Sequence, residues 1–314
     1  MSDNARMLED LAERLFGQAM ADPAARKDAE LPTRLAAMAE EAGLPLALIP
    51  EEEGGMGATL EDAAVLAWRA GYHAAPLPIV SLILAPTLAG ADGAVLAAPG
   101  TRQAEGPADR IAVVAGDTLA IHAAEPAFEA LDHRPWVRAT GDALATYTTP
   151  GLADRLAVQG ACLTAAAMLG AMHRVSEITI DYANTRKQFG RPLSAFQALQ
   201  HRIAEAVSEY TVAQAAVAGA IRAFDGGWLR PLHWQSAKVQ SGRAATTITA
   251  AAHQILGAIG FTEEHELHHY SKRLWIWRDS WGRQAALEDA IGQAAIDAPE
   301  GLWSHIVDSK GETA

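Results

Sequence analysis

The sequence holds a single cysteine, Cys162, among 314 residues. No disulfide can form within the chain, and the expected compartment is a reducing one. Cys162 lies inside an apolar helical run and reads as a small core residue. Positive charge is scarce too: 25 Lys and Arg stand against 38 Asp and Glu, a net charge of -13. That balance excludes broad attraction to nucleic acid or to an anionic membrane surface, so an anionic ligand must find a local basic site. A long apolar run is also lacking. The most apolar stretch, residues 75–91, is interrupted by Pro76, Pro78 and Pro86 and falls short of the roughly 20 residues of a membrane span. It reads as a buried segment. The N-terminus has acidic first turns and no basic region followed by an apolar block, so no signal peptide is expected and the expected location is the cytoplasm.

Two chemistries lose their motifs in the same way. Gly55-Met56-Gly57 lacks the third glycine and the surrounding βαβ unit of a dinucleotide fingerprint. His265, His268 and His269 lack metalloprotease spacing and have no cysteine nearby, so they read as residues of a solvated or interface helix rather than a metal site.

What is present is an order of elements. Residues 1–90 carry helical periodicity, with Met7, Leu8, Leu11, Leu15 and Phe16 in the first run and Thr59 as N-cap of a helix over 59–71. Residues 91–150 break into short apolar pieces separated by turn signals such as Gly116-Asp117, a β region too short for a full sandwich or barrel. Residues 151–314 return to long helices with short turns, the pattern of a bundle, and the last residues, 308–314, read as a frayed tail. Ala161, Ala165, Ala166, Ala167 and Gly170 give the first bundle helix a small-residue face that permits close approach. The expected fold is mainly α, with an N-terminal helical domain, a reduced middle β region and a C-terminal four-helix bundle.

The junction TRKQFGRPLSAFQALQHRIAE, residues 185–205, separates two of those helices. Gly190 ends a helix, Pro192 prevents its continuation, and Ser194 with Gln197 fits a capping box for the next. Local physics leaves Arg186, Lys187 and Arg191 crowded into one turn of an acidic chain, which points to an anion site. At a second junction, 253–268, Gly257 and Gly260 end one helix and Thr262 with Glu263 and Glu264 is expected to cap the next. Such a glycine turn lets backbone N–H groups approach a phosphate. Trp275, Trp277 and Trp281 do not share one helix face and read as core or interface packing.

Residues 186–205, 254–273 and 44–72 together resemble the acyl-CoA dehydrogenase family. RKQFGRPLSAFQ is similar to its R-x-x-F-G-x-P-[IL]-x-x-F-Q signature, and QILGAIGFTEE to its Q-x-x-G-G-x-G-[FY]-[ST]-x-E segment. The resemblance implies FAD, an acyl-CoA thioester, and electron transfer to an electron-transfer flavoprotein. It implies that Arg186, Phe189 and Gln197 contact the FAD of a neighbouring subunit, and that Gln254 and Gly257 cradle its pyrophosphate from across a dimer. Ala258 stands where the family has its second glycine.

Three family features are missing. The T-E-P-x-A-G-S-D loop and W-I-T strand that hold a subunit's own flavin are absent. The usual catalytic glutamate, about 21 residues beyond Gly260, is replaced by Trp281, and the alternative base position on the first bundle helix holds Gly160. The nearest acids are Asp154 and Asp279, neither in the expected register. The chain thus resembles one subunit of the heterotetrameric type that acts on bulky, steroid side-chain acyl-CoA, with FAD shared with a second acyl-CoA dehydrogenase-like chain. The alternatives are a self-sufficient homo-oligomer with Asp154 or Asp279 as base, and a non-catalytic assembly protein of the same fold.

Overall fold

The computed structural model describes residues 2–22, 25, 26, 28, 30–299 and 301–307. The tail expected at 308–314 lies outside them. Helix α1 (Asp3–Ala12) runs into a π-turn over Glu13–Gly17 and buries Leu8, Ala12 and Phe16. Helix α2 (Leu31–Glu41) follows, then α3 (Leu60–Tyr72). Thr59 caps α3 as its sequence predicts: its hydroxyl accepts the Asp62 N–H at 3.1 Å, and the Asp62 carboxylate accepts the Thr59 N–H at 3.1 Å. The proline-interrupted segment forms the short buried helix α4 (Ile79–Leu84).

Five strands come next: β1 (Val95–Leu96), β2 (Gln103–Glu105), β3 (Arg110–Ala115), β4 (Thr118–Glu129) and β5 (Pro135–Thr148). They form one sheet in the order β1-β3-β4-β5-β2, with β1 parallel to β3 and the other pairs antiparallel. Gly116 turns the β3–β4 hairpin at φ 56°. Strand β3 is buried on both faces. Ile111 and Val113 pack with Val95, Ala104 and Val137, while Ala112 and Val114 join the main core.

Helix α5 (Leu152–Thr185) is the axis of the molecule, and every residue from Gly160 to Met172 in it is buried. Its most apolar 18-residue window is 83% buried inside the protein, as in the core helix of a globular domain. The small-residue face works as expected. A methyl group at Gly71 of α3 would strike the Ala167 carbonyl, and one at Gly170 would strike the Trp68 carbonyl, so the backbones of α3 and α5 touch. Within this core Cys162 is buried and its thiol is pushed up to about 12, which removes it from thiolate chemistry.

A two-stranded ribbon, β6 (Lys187–Gln188) and β7 (Arg191–Pro192), leads to α6 (Gln197–Asp225), α7 (Pro231–Leu256), α8 (Leu267–Asp279), α9 (Gln284–Ile296) and α10 (Gly301–Val307). Two expected caps are corrected. Ser194 does not start α6: Leu193–Ala195 closes a separate 3-10 turn that buries Leu193, and α6 begins at Gln197 with Phe196 in the cap position. Thr262 does not start α8 either. Its hydroxyl turns back to the Ile259 carbonyl at 3.0 Å and closes the turn over Gly257–Phe261.

A buried charge cluster ties the three regions together. Arg273 of α8 is 1% exposed. It pairs with Glu105 of β2 and with Asp132 at 3.0 Å, and donates to the Leu77 carbonyl at 3.3 Å. Arg134 contacts the same two carboxylates at 3.2 and 3.4 Å and donates to the Ala74 carbonyl at 3.2 Å. Burial and the neighbouring Arg273 pull the Arg134 guanidinium down to about 10.

The same end of α8 makes the fold acid-sensitive. Burial, then His268, Arg26, Lys272 and Arg134, push His269 down to about 3. Burial also lowers His233, His253 and His265. Folded, these rings stay neutral at a pH where the unfolded chain protonates them, below about 6.5. The unfolded state then binds more protons, so stability falls as the pH drops through that value. Melting curves are expected to show Tm declining from pH 7 to pH 5, with a shallower decline in His269→Gln.

Candidate functional site

The α8–α9 connection carries two consecutive residues of positive φ. Helix α8 stops at Asp279, and Ser280 turns extended while its N–H still bonds to the Ile276 carbonyl at 3.1 Å. Trp281 then adopts φ 52° and Gly282 φ 118°. Left-handed backbone is unusual for a bulky residue and marks a position held by its surroundings. On either side of it, Lys238 of α7, 1% exposed, donates to the carbonyls of Trp277, Arg278 and Gly282 at 2.9, 2.8 and 3.2 Å.

The indole of Trp281 lies against Gly160 of α5, and a methyl group at Gly160 would run into the ring. One turn on, the Thr164 hydroxyl donates to the Gly160 carbonyl at 2.7 Å. The two positions at which the resemblance locates a catalytic carboxylate therefore meet in space. They meet as glycine and tryptophan, and neither side chain takes up a proton.

Beside this contact is a cavity of about 180 Å³ lined by residues that include Ile79, Ser81, Thr164, Trp136, Asp279 and Trp281. It is smaller than the roughly 300–1,000 Å³ usual for a drug-sized ligand. Ser81 bonds the Leu96 carbonyl and N–H at 3.2 and 3.1 Å, which docks β1 on α4 and forms one wall. The Trp136 indole N–H is buried there without a partner.

The candidate acids separate. Asp279 lines the cavity, but its side chain is 45% exposed and paired with Arg278 at 3.1 Å. Asp154 is exposed in the first turn of α5 and is not part of the lining. Six positions before Gly160, it sits about 9 Å away along the helix axis.

A second surface gathers the basic junction. Arg186 ends α5 in extended conformation and is exposed, with no carboxylate partner among the described residues. Phe189 and Gly190 form the two-residue turn of the β6–β7 ribbon at φ 52° and 80°, the pattern of a type I′ turn. That turn thrusts the Phe189 ring out, 92% exposed, in edge contact with Phe196 at 6.3 Å. Arg191 lies over the Phe196 ring at 4.1 Å. Gln197 is exposed on the first turn of α6.

At the α7–α8 junction Gln254 is exposed, and Gly257 takes φ 64°, ψ -140°, a region open in practice to glycine. Next to it, His253 stacks on Phe261 at 4.4 Å and on Trp275 at 6.3 Å. Its Nε2 bonds to the Ser271 hydroxyl at 2.8 Å. Phe261 and Ile259 are 69% and 42% exposed. Both junctions thus present backbone and side chains outward, toward a ligand or subunit outside the chain.

The sequence reading passed over Lys238. A signal was present: Lys238 falls on the face of α7 shared by Ser241, Ala245 and Thr249, all buried. A lysine on such a face must find acceptors.

Comparison with known proteins bears on these surfaces. Residues 153–293 match the family profile described as acyl-CoA dehydrogenase, C-terminal domain. The chain is 32% identical over 260 residues to acyl-CoA dehydrogenase IpdE2 of Mycobacterium tuberculosis, covering 75% of this chain and 78% of that protein. In fold it is similar to a chain of the ChsE4-ChsE5 complex from M. tuberculosis, with a TM-score of 0.82 and 19% identity over 95% of this chain and 99% of that one. A chain of the Tcur3481-Tcur3483 steroid ACAD, in its G363A variant, gives a TM-score of 0.82 at 21% identity, with the same coverage of 95% and 99%.

Proposed function

Because this chain belongs to the acyl-CoA dehydrogenase family, oxidoreductases acting on acyl-CoA, we propose that it is one subunit of a two-chain enzyme whose catalytic base is supplied by the other chain. The observation that carries this reading is the packing of Trp281 on Gly160, which fills the place of a carboxylate with an indole. The ChsE4-ChsE5 complex and the Tcur3481-Tcur3483 steroid ACAD each pair two chains, which supports a heteromeric assembly. That the second of these is a steroid ACAD favours a bulky acyl group.

The residues present fit FAD from a neighbour's side. Arg186, without a carboxylate partner among the described residues, would offer a fork of donors to a phosphate, the exposed Phe189 ring would pack on the dinucleotide, and Gln254 and Gly257 would lie at the pyrophosphate, with Gln197 close by. The chemistry bound FAD supplies is acceptance of hydride from the β-carbon of the thioester, the electrons passing on to an electron-transfer flavoprotein. This chain's residues hold negative charge and exclude water at that surface. Removal of the α-proton falls to a carboxylate of the partner, as hydrogen bonds to the thioester carbonyl stabilise the charge that develops.

Asp154→Asn and Asp279→Asn separate this from a self-sufficient enzyme. In the assembled enzyme both variants are expected to keep turnover within about twofold of the parent. A loss of 10²-fold or more, the scale of a missing general base, would assign the base to this chain.

A further inference from the structure

The three carbonyls that Lys238 engages are not scattered. Trp277 and Arg278 end α8, and Gly282 follows the strained Trp281. The anchored carbonyls bracket the tryptophan on both sides. A lysine ammonium has three N–H donors and a neutral amine has two, so all three acceptors are satisfied only by the charged form. The site lies at the negative end of the α8 dipole, which favours a cation. Among charged neighbours Asp279 supports the ammonium and Arg278 opposes it, while burial pulls Lys238 down to about 7.

We infer that Lys238 is the positioning residue of the cavity wall: its ammonium fixes the α8–α9 turn and thereby seats the Trp281 indole on Gly160. Among the described residues Trp281 makes no hydrogen bond that would otherwise hold it in left-handed backbone, whereas its flanking carbonyls are tied to α7. The seat of the indole sets how much of the 180 Å³ cavity stays open toward Thr164 and Ser81. Lys238 therefore acts on the site through another residue and touches no substrate. All of these contacts lie within this chain, so Lys238 plays this part whichever chain supplies the base.

The test is fluorine NMR of protein labelled with 5-fluorotryptophan, which reports all 8 tryptophans. The Trp281 resonance is the one lost in Trp281→Phe. In Lys238→Gln it is expected to move toward the free amino acid while that of Trp68, which lies outside the cavity lining, stays in place. Lys238→Cys converted to aminoethylcysteine, which restores the ammonium, returns it. An unmoved Trp281 resonance, or equal movement of all resonances, overturns the inference. A double-mutant cycle decides the matter if Lys238→Gln folds poorly. Glycine at 281 needs no clamp to adopt positive φ, so Lys238→Gln is expected to lower Tm far less in Trp281→Gly than in the parent. Additive losses contradict a positioning role.

Discussion

Arg186→Ala is expected to strip FAD from the assembled two-chain enzyme. The guanidinium is exposed, without a carboxylate partner among the described residues, at the end of α5 in an acidic chain. Its removal breaks no side-chain hydrogen bond or ion pair among the described residues, so the fold is expected to remain. A hydrogen bond to a charged group contributes about 1.5–3 kcal/mol, which corresponds to about 10- to 100-fold in affinity. Flavin absorbance per protein after gel filtration, at FAD near the parent dissociation constant, is therefore expected to fall about 5- to 50-fold. Arg191→Ala is the control: its guanidinium lies over Phe196 within the same chain, and its loss is expected to change flavin content much less. Equal retention of FAD by Arg186→Ala and the parent removes Arg186 from the flavin surface.

The second large effect concerns stability. Arg273→Met is expected to destabilise the fold by about 3–5 kcal/mol, the cost of breaking a buried ion pair by removing one partner. Methionine occupies similar volume over Trp277, whose ring lies 4.5 Å from the guanidinium carbon, so lost packing is a minor part. The penalty comes from Glu105 and Asp132, whose side chains are 15% and 6% exposed and are left with Arg134 alone. Chemical denaturation measures it. Adding Asp132→Asn removes one stranded charge and is expected to recover part of the loss, so the two substitutions are non-additive. Because the cluster joins α8 to β2 and to the Leu77 carbonyl, the same variant is expected to loosen the wall beside the cavity.

The sequence carries the local signals of this fold faithfully. The Thr59 capping box, the β3 strand with its turn at Gly116, and the small face around Ala167 and Gly170 each depend on neighbours a few residues apart. The α–β–α order follows from period and turn chemistry alone. Readings failed where tertiary packing competes with a local motif. Ser194 has the residues of a capping box, yet burial of Leu193 closes a 3-10 turn first.

The candidate site divides along the same line. Gly160 and Trp281 are each recognisable as substitutions at a base position. Their mutual contact depends on how α5 and the α8–α9 turn meet, and no periodicity encodes that. The Arg273 cluster was invisible for the same reason: its members come from a strand, a hairpin turn and a helix, and only the packed chain brings them within 3–4 Å.

On the proposed function, this chain offers flavin contacts to a neighbour and relies on the partner chain for a working site. The visible absorption spectrum of the purified chain, alone and co-expressed with a second acyl-CoA dehydrogenase-like chain, tests it most directly. A colourless protein alone, and a yellow complex with one flavin for each pair of chains that bleaches on adding acyl-CoA, is the predicted result. A chain that is yellow by itself, with one FAD per polypeptide and oxidation of acyl-CoA unaided, would contradict it.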